Sequence, residues 1–223
     1  MKTQLGKQGW QCILYNTQHF RVYEIQLTLN DHANHNIVFP YDALLFTAEG
    51  QVFIQSNLEE VSLKANQAVW VQHALPIRCV TISPITRLFV VVFLGQAKRS
   101  NPRFDRFASG TEDKKQHSNG TTQWTAKNKD VAKIDWHMFP ALHQEPFYYL
   151  KASEQFILPV NTKDDLHIQL PRQSSQSVHD AGILIESGTT RRLINRSEKP
   201  ITFLTIATPY PKQSRIIKLG RSS

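Results

Sequence analysis

The sequence predicts an all-β protein in which one β-domain is built twice, and three observations carry that expectation. Short runs rich in β-branched and aromatic residues, separated by Glu-Gly, Ser-Asn and Ser-Pro turn pairs, recur through most of the chain. No window of helical length carries an apolar stripe with a 3.6-residue period. Residues 63–93 (LKANQAVWVQHALPIRCVTISPITRLFVVVF) can be laid without a gap on residues 177–207 (SVHDAGILIESGTTRRLINRSEKPITFLTIA), an offset of 114 residues, and their apolar runs coincide.

The elements follow in order. The first block contains HFRVYEIQLTL (19–29), DALLFTAEGQVFIQ (42–55), AVWVQ (68–72), IRCVTI (77–82) and LFVVVFL (88–94), each short enough for a strand and bounded by turn residues. Residues 97–133 break the rhythm. They are polar, bear Gly and Ser and are poor in aliphatics, so they read as a basic linker or long loop with Phe104, Phe107 and Trp124 as anchors. Strand texture returns at WHMFP (136–140), PFYYLK (146–151), EQFILPV (154–160), LHIQLP (166–171), GILIE (182–186), RRLIN (191–195) and ITFLTIA (201–207). The expected organisation is therefore a domain over 1–96, a linker over 97–133, a second domain over 134–211 and a basic tail over 212–223.

Composition narrows the function classes. The 223 residues, 40% hydrophobic and 10% aromatic, suit a soluble globular chain with room for a real core. No run of about 18 apolar residues exists, and MKTQLGKQGWQC lacks the apolar centre of a secretory signal. Cys12 and Cys79 are the only cysteines and form no CxxC, so a reducing cytoplasm is the expected location and a zinc–thiolate site is not. The net charge of +8 is concentrated. Residues 97–133 carry +5 and the tail 212–223 carries +4, which leaves the remaining chain near −1. A neutral body with a basic linker and tail reads as a solvated surface, so neither a membrane nor a nucleic acid is an expected partner.

Two short stretches have a recognisable spacing. Asn66, Gln72, Ala74, Ile77 and Thr81 in the first half, and Asp180, Glu186, Gly188, Arg191 and Asn195 in the second, fall on the pattern G-x5-P-x-G-x2-H-x3-N. Only Gly188 and Asn195 match its letters. That pattern is the second motif of the cupins, and KANQAVWVQHALPIRCVTI also resembles the sensor domain of AraC-type regulators. DALLFTAEGQVFI, with Glu49-Gly50 at its turn, resembles the strand pair of the first cupin motif. The resemblance implies two cupin-like double-stranded β-helix (jelly-roll) barrels, a bicupin, over about 20–95 and 140–208. A helix-turn-helix domain follows the barrel in AraC-type regulators; here a second β block stands instead, so regulation would act through a partner.

The resemblance also locates where a cupin metal would sit, because three imidazoles and a carboxylate must converge on the ion. In the first half the glutamate slot is Ala43, the first histidine slots are Asn36/Val38 or Ile37/Phe39, and the last is Ile77. In the second half they are Ile157, Leu150/Ala152 or Lys151/Ser153, and Arg191. None is a metal ligand, so no metal and no cofactor are expected. His32 and His35 beside Asp31, and His137 and His143, offer imidazoles without an identified third ligand. His73, His167 and the His179-Asp180 pair form no triad in a workable order, and no glycine-rich phosphate loop occurs. No catalytic residue is therefore assigned. A metal-independent isomerase or epimerase and a regulatory module stay open beside the leading expectation, a non-catalytic cupin that binds a small, anionic or sugar-like molecule. The ligand contacts expected are Arg191, Trp70, Arg78, Tyr148 and Arg192, with Arg191 offering a carboxylate- or phosphate-shaped fork. Buried, that arginine needs an anionic partner, whether Glu186, Glu154 or a ligand. A monomer and a homodimer are equally open.

Overall fold

The computed structural model describes residues 2–5, 8–29, 37–57, 59–95, 104–108, 114–129, 131–160, 164–211 and 216–217. Its regular elements are all strands, and the chain divides into two compact units, Met1–Ser109 and Gly110–Ser223. His32, His35 and Asp31 lie outside the described residues, as does most of the 212–223 tail.

The first unit contains β1 (Lys2–Leu5), β2 (Gly9–Asn16), β3 (Phe20–Thr28), β4 (Ile37–Val38), β5 (Ala43–Glu49), β6 (Gln51–Gln55), β7 (Glu60–Lys64), β8 (Gln67–Val71), β9 (Pro76–Thr81), β10 (Ile85–Phe93) and β11 (Phe104–Ala108). They pair in two antiparallel sheets, ordered β1-β2-β3-β10-β5-β8-β11 and β4-β9-β6-β7. The inward positions of β5, β8, β9 and β10 (Ala43, Leu45, Val69, Val71, Ile77, Val90) belong to one buried core. β-Branched residues suit these positions because they pack well on a pleated surface.

The second unit contains β12 (Lys114–Gln116), β13 (Thr122–Lys129), β14 (Ala132–Phe139), β15 (Tyr148–Tyr149), β16 (Glu154–Val160), β17 (Leu166–Gln169), β18 (Gln176–Ser177), β19 (Ile183–Ile185), β20 (Arg192–Asn195), β21 (Ile201–Thr208) and β22 (Ile216–Ile217). Its large sheet runs β12-β13-β14-β21-β16-β19, the order of the first six strands of the first unit's large sheet. The smaller sheet runs β18-β17-β20, and a Tyr148–Arg191 bridge extends it as the Ile37–Ile77 pair does in the first unit. The two-fold repeat read from the sequence is thus a repeat of topology.

The turns repeat as well. Positive φ occurs at Gly50, Asn66 and Ala74 in the first unit and at Asp164, Gly182 and Gly188 in the second. Asp164 and Gly188 stand 114 residues beyond Gly50 and Ala74, the offset of the sequence repeat. The left-handed backbone is therefore kept at Asn66, Ala74 and Asp164 without a glycine, whereas in the second unit's first motif slot it falls on Gly182 and not on Asp180.

One expectation is corrected. The stretch read as a linker, 97–133, contains β11, β12, β13 and the start of β14. β11 adds to the edge of β8, and β12 and β13 add to the edge of β14. Such strands are held by backbone ladder bonds more than by burial, and the side chains of β12 are all exposed, so no apolar alternation marks them. The expected anchors Phe104 and Trp124 are both buried, while the side chain of Phe107 lies outside the described residues. β1, β2 and β7 likewise add to what the sequence pattern marked.

Candidate functional site

The metal slots that the cupin resemblance locates lie among the described residues, except Asn36, which lies outside them. Ala43 and Ile77 are fully buried in the first unit's core, and Ile157 is fully buried in the second's. Aliphatic side chains have no lone pair to offer an ion, so these residues do not fit a cupin metal. Among the described residues no three His, Cys, Asp or Glu side chains are grouped to hold one. His137 and His143 are engaged elsewhere. His137 shares a 3.1 Å hydrogen bond with Thr205 and stacks on Phe203, and His143 meets Phe139 edge-on at 4.7 Å. Burial pushes the His143 imidazole below the ordinary histidine value. His179 and Asp180 stand exposed in a turn, without the enclosure a catalytic dyad needs.

In the second unit, Lys133, Asp135, His137 and Phe139 alternate onto the core-facing side of β14. Asp135 pairs with Thr205 and that residue with Ile157, so these three share one row of the inner surface. Lys133 Nζ lies 3.0 Å from Asp135 Oδ2. Arg191, only 1% exposed, joins this inner layer. Its Nη2 donates to Gln155 Oε1, Nη1 donates to Thr189 O at 3.4 Å, and its guanidinium lies 4.2 Å from the centre of the Tyr148 ring. Two of the expected ligand contacts, Arg191 and Tyr148, are therefore brought together inside one barrel. Arg192 points to the other side of β20, over the Phe147 ring, and donates to Gln169 Oε1 at 2.8 Å.

The first unit arranges its expected contacts otherwise. Trp70 is fully buried, stacks on Phe93 at 4.8 Å and donates from Nε1 to Asp42 Oδ2 at 3.0 Å. The same carboxylate receives the His73 backbone N–H at 2.9 Å and lies 3.0 Å from His73 Nδ1. Trp70 thus fastens the β5 and β8 ends, on the face opposite Val69 and Val71. Arg78 alternates with the buried Ile77 and Cys79 and so faces away from the barrel interior. Neither Trp70 nor Arg78 lines the cavity that this barrel contains.

That cavity, about 530 Å³, opens between β3, β10 and the segment around β4. Its wall follows the sheet register: Ile25 pairs with Leu88, Tyr23 with Val90, and Val90 in turn with Leu45. Along β3 the inward face passes from exposed Arg21 through half-buried Tyr23 and Ile25 to buried Leu27. Polar lining is confined to Gln4, Gln11 and Arg21 beside the tyrosine hydroxyls, and the thiol of Cys79 contributes to the wall. Burial pushes that thiol up to about 12, so it stays protonated and unreactive at neutral pH. Among the described lining residues there is no carboxylate and no imidazole, hence no general acid–base pair for neutral pH.

These residues were not singled out from the sequence, although a signal exists. Taking Ala43 and Ile157 as equivalent, the row Leu45–Val90–Tyr23 corresponds to Pro159–Phe203–His137. The next row sets Leu88 and Ile25 against Ile201 and Phe139. Phe139 and Phe203 meet at 4.8 Å and occupy the interior of their barrel, whereas the first barrel places aliphatic side chains at those positions.

No family model matches the chain. No curated protein matches it. Solved structures do. AerE from Microcystis aeruginosa superposes with a TM-score of 0.72 at 13% identity, over 93% of this chain and 96% of that one. The fold is that of the cupins. A cupin 2 conserved barrel domain protein from Leptotrichia buccalis gives a TM-score of 0.67 at 6% identity, over 92% and 91% of the two chains. Oxalate decarboxylase from Lactobacillus farciminis, solved as a formate complex, gives 0.71 at 9% identity, over 97% and 86%. At such identities the likeness speaks for the bicupin architecture alone.

Proposed function

We propose that the protein is a non-catalytic bicupin whose N-terminal barrel binds a small, predominantly apolar organic molecule. The observation that carries this is the cavity of about 530 Å³ with its aliphatic wall, which lies within the usual size of small-molecule sites, about 300–1,000 Å³. Two features support binding without chemistry. The described lining residues offer no acid–base pair, and Ala43 and Ile77 fill the positions where a cupin would place metal ligands. Val38 and Tyr41, both exposed, leave apolar surface at the cavity's edge for a ligand to cover.

The test uses the neutral fluorescent probe N-phenyl-1-naphthylamine with the full chain. Saturable binding at one site is expected, with enhanced, blue-shifted emission. Ile25→Trp places an indole in the cavity at a half-buried position and abolishes that binding while the far-ultraviolet circular dichroism is unchanged. Absence of saturable binding, or binding that Ile25→Trp leaves intact, contradicts the proposal.

A further inference from the structure

The geometry points to the class of ligand: we infer that the N-terminal barrel takes an anionic amphiphile, with its apolar chain along β3 and β10 and its acidic head at Arg21. The inference rests on the cavity being a binding site and adds what the ligand must look like.

Three observations converge on it. The first is a polarity gradient along one strand face. Arg21 is exposed, Tyr23 and Ile25 are half-buried, and Leu27 is 5% exposed, so the environment changes from solvent to aliphatic core over seven residues of β3. A uniformly polar sugar or a small dicarboxylate would leave its polar groups unpaired against Ile25, Leu88 and Val90, which the cost of burying polar groups disfavours. An uncharged hydrocarbon would leave the polar mouth unused.

The second observation is charge. Arg21 is the one charged side chain among the described lining residues, and no carboxylate lines the cavity with it. β3 alternation sends Glu24, the nearest acid on the strand, to the opposite face, where its Oε1 lies 2.5 Å from Arg87 Nε. The described lining therefore offers a positive side chain and no negative one, which favours an anion.

The third is the preparation of that arginine. Arg21 Nε donates to Asn16 Oδ1 at 2.9 Å, across the β2–β3 pair that sets these two residues opposite one another. This bond uses one of the five guanidinium N–H donors and restrains the side chain, leaving a fork that suits a carboxylate or a phosphate monoester. Gln4 and Gln11 add amide groups to the same lining.

Displacement of N-phenyl-1-naphthylamine by decanoate, decyl phosphate, decan-1-ol and decyltrimethylammonium tests the inference on the wild-type chain, Arg21→Gln and Ile25→Trp. For the wild type the two anions compete about five-fold better than the alcohol, as suits one exposed charge-assisted contact, and the cation competes worst. The ratio of decanoate to decyl phosphate tells which acidic head the fork prefers. Arg21→Gln brings decanoate and decanol to equal affinity while probe binding persists, and added salt narrows the wild-type difference. Decanol matching decanoate on the wild type, or an unchanged anion preference in Arg21→Gln, overturns the head-group assignment and leaves the cavity standing. Failure of every decyl compound to displace a bound probe overturns the amphiphile class. Failure of the probe itself to bind overturns the cavity reading beneath it.

Discussion

Arg191 occupies a metal-ligand slot, and its energetics can be separated from any role in binding. Gln155→Leu removes the acceptor of the Nη2 hydrogen bond but leaves a guanidinium that is 1% exposed. A hydrogen bond to a charged group is worth about 1.5–3 kcal/mol, and leaving the charge under-solvated adds to that. Contacts that remain, among them Thr189 O at 3.4 Å and the Tyr148 ring at 4.2 Å, limit the damage, so a loss of about 2–4 kcal/mol is expected. Arg191→Met keeps the length of the side chain and removes the charge together with its desolvation penalty, so its cost stays within about 1 kcal/mol. In Arg191→Met/Gln155→Leu the glutamine's loss no longer strands a charge, and the two substitutions couple by about 2 kcal/mol. Native-state hydrogen exchange read by mass spectrometry suits this question. The Tyr148 and Arg191 amides bond each other's carbonyls at 2.9 Å, so they report opening at that point of the second unit without assuming that both units unfold together. Strict additivity, or an Arg191→Met loss as large as that of Gln155→Leu, would refute the view of Arg191 as a self-contained fastener between β15 and β16.

Two further predictions concern turns and pH. Gly50→Ala and Gly188→Ala both place a Cβ on a residue with φ near +75°, which by itself costs about 1–2 kcal/mol. A Cβ at Gly50 collides with Ile85 O and meets Thr86 Oγ1 at 2.8 Å, whereas nothing lies within 4 Å of one at Gly188. Urea denaturation should therefore show Gly50→Ala losing clearly more stability than Gly188→Ala, and equal losses would contradict the geometry. His143 has a depressed value in the folded state because burial disfavours its cation. Its contribution is present above the ordinary histidine value and lost as pH falls through the folded one, so stability declines on acidification below about pH 6.5. Burial acts on His167 in the same direction, with the Arg196 charge adding to it. His143→Phe, which cannot titrate, should flatten part of the decline measured by urea midpoints between pH 7 and 5; an unchanged slope would contradict the assignment.

The two barrels were legible in the sequence because their determinants are local. Val-Val-Val at 90–92 and Phe-Ile-Leu at 156–158 mark central strands, and the 114-residue repeat survives through its turns. Asn66 and Ala74 keep the backbone of the motif's glycines after the letters have gone, so spacing carried more information than identity. The metal slots were legible for the same reason: counting from Gly50 and Gly188, and from Asp164 and Ala74 at the repeat offset, lands on Ala43, Arg191, Ile157 and Ile77, which the core buries. Edge strands were not legible, since β12 and β13 are satisfied by backbone pairing and need no apolar face. The cavity was hidden for a different reason. Tyr23-x-Ile25-x-Leu27 alternates in the same way whether the space beyond is filled or open. The answer lies in the volumes of residues paired across strands, such as Val90 where the other barrel has Phe203. Trp70 attracted notice as a large aromatic, yet Asp42 and Phe93 hold it on the far side of the sheet.

The most direct measurement is a crystal of the full chain grown with 10-bromodecanoate, with bromine located by anomalous scattering. The account predicts one bromine inside the N-terminal barrel, between Ile25, Leu88 and Val90, with the carboxylate at Arg21. A bromine outside that barrel, or side chains closing the space while the compound binds elsewhere, would contradict it.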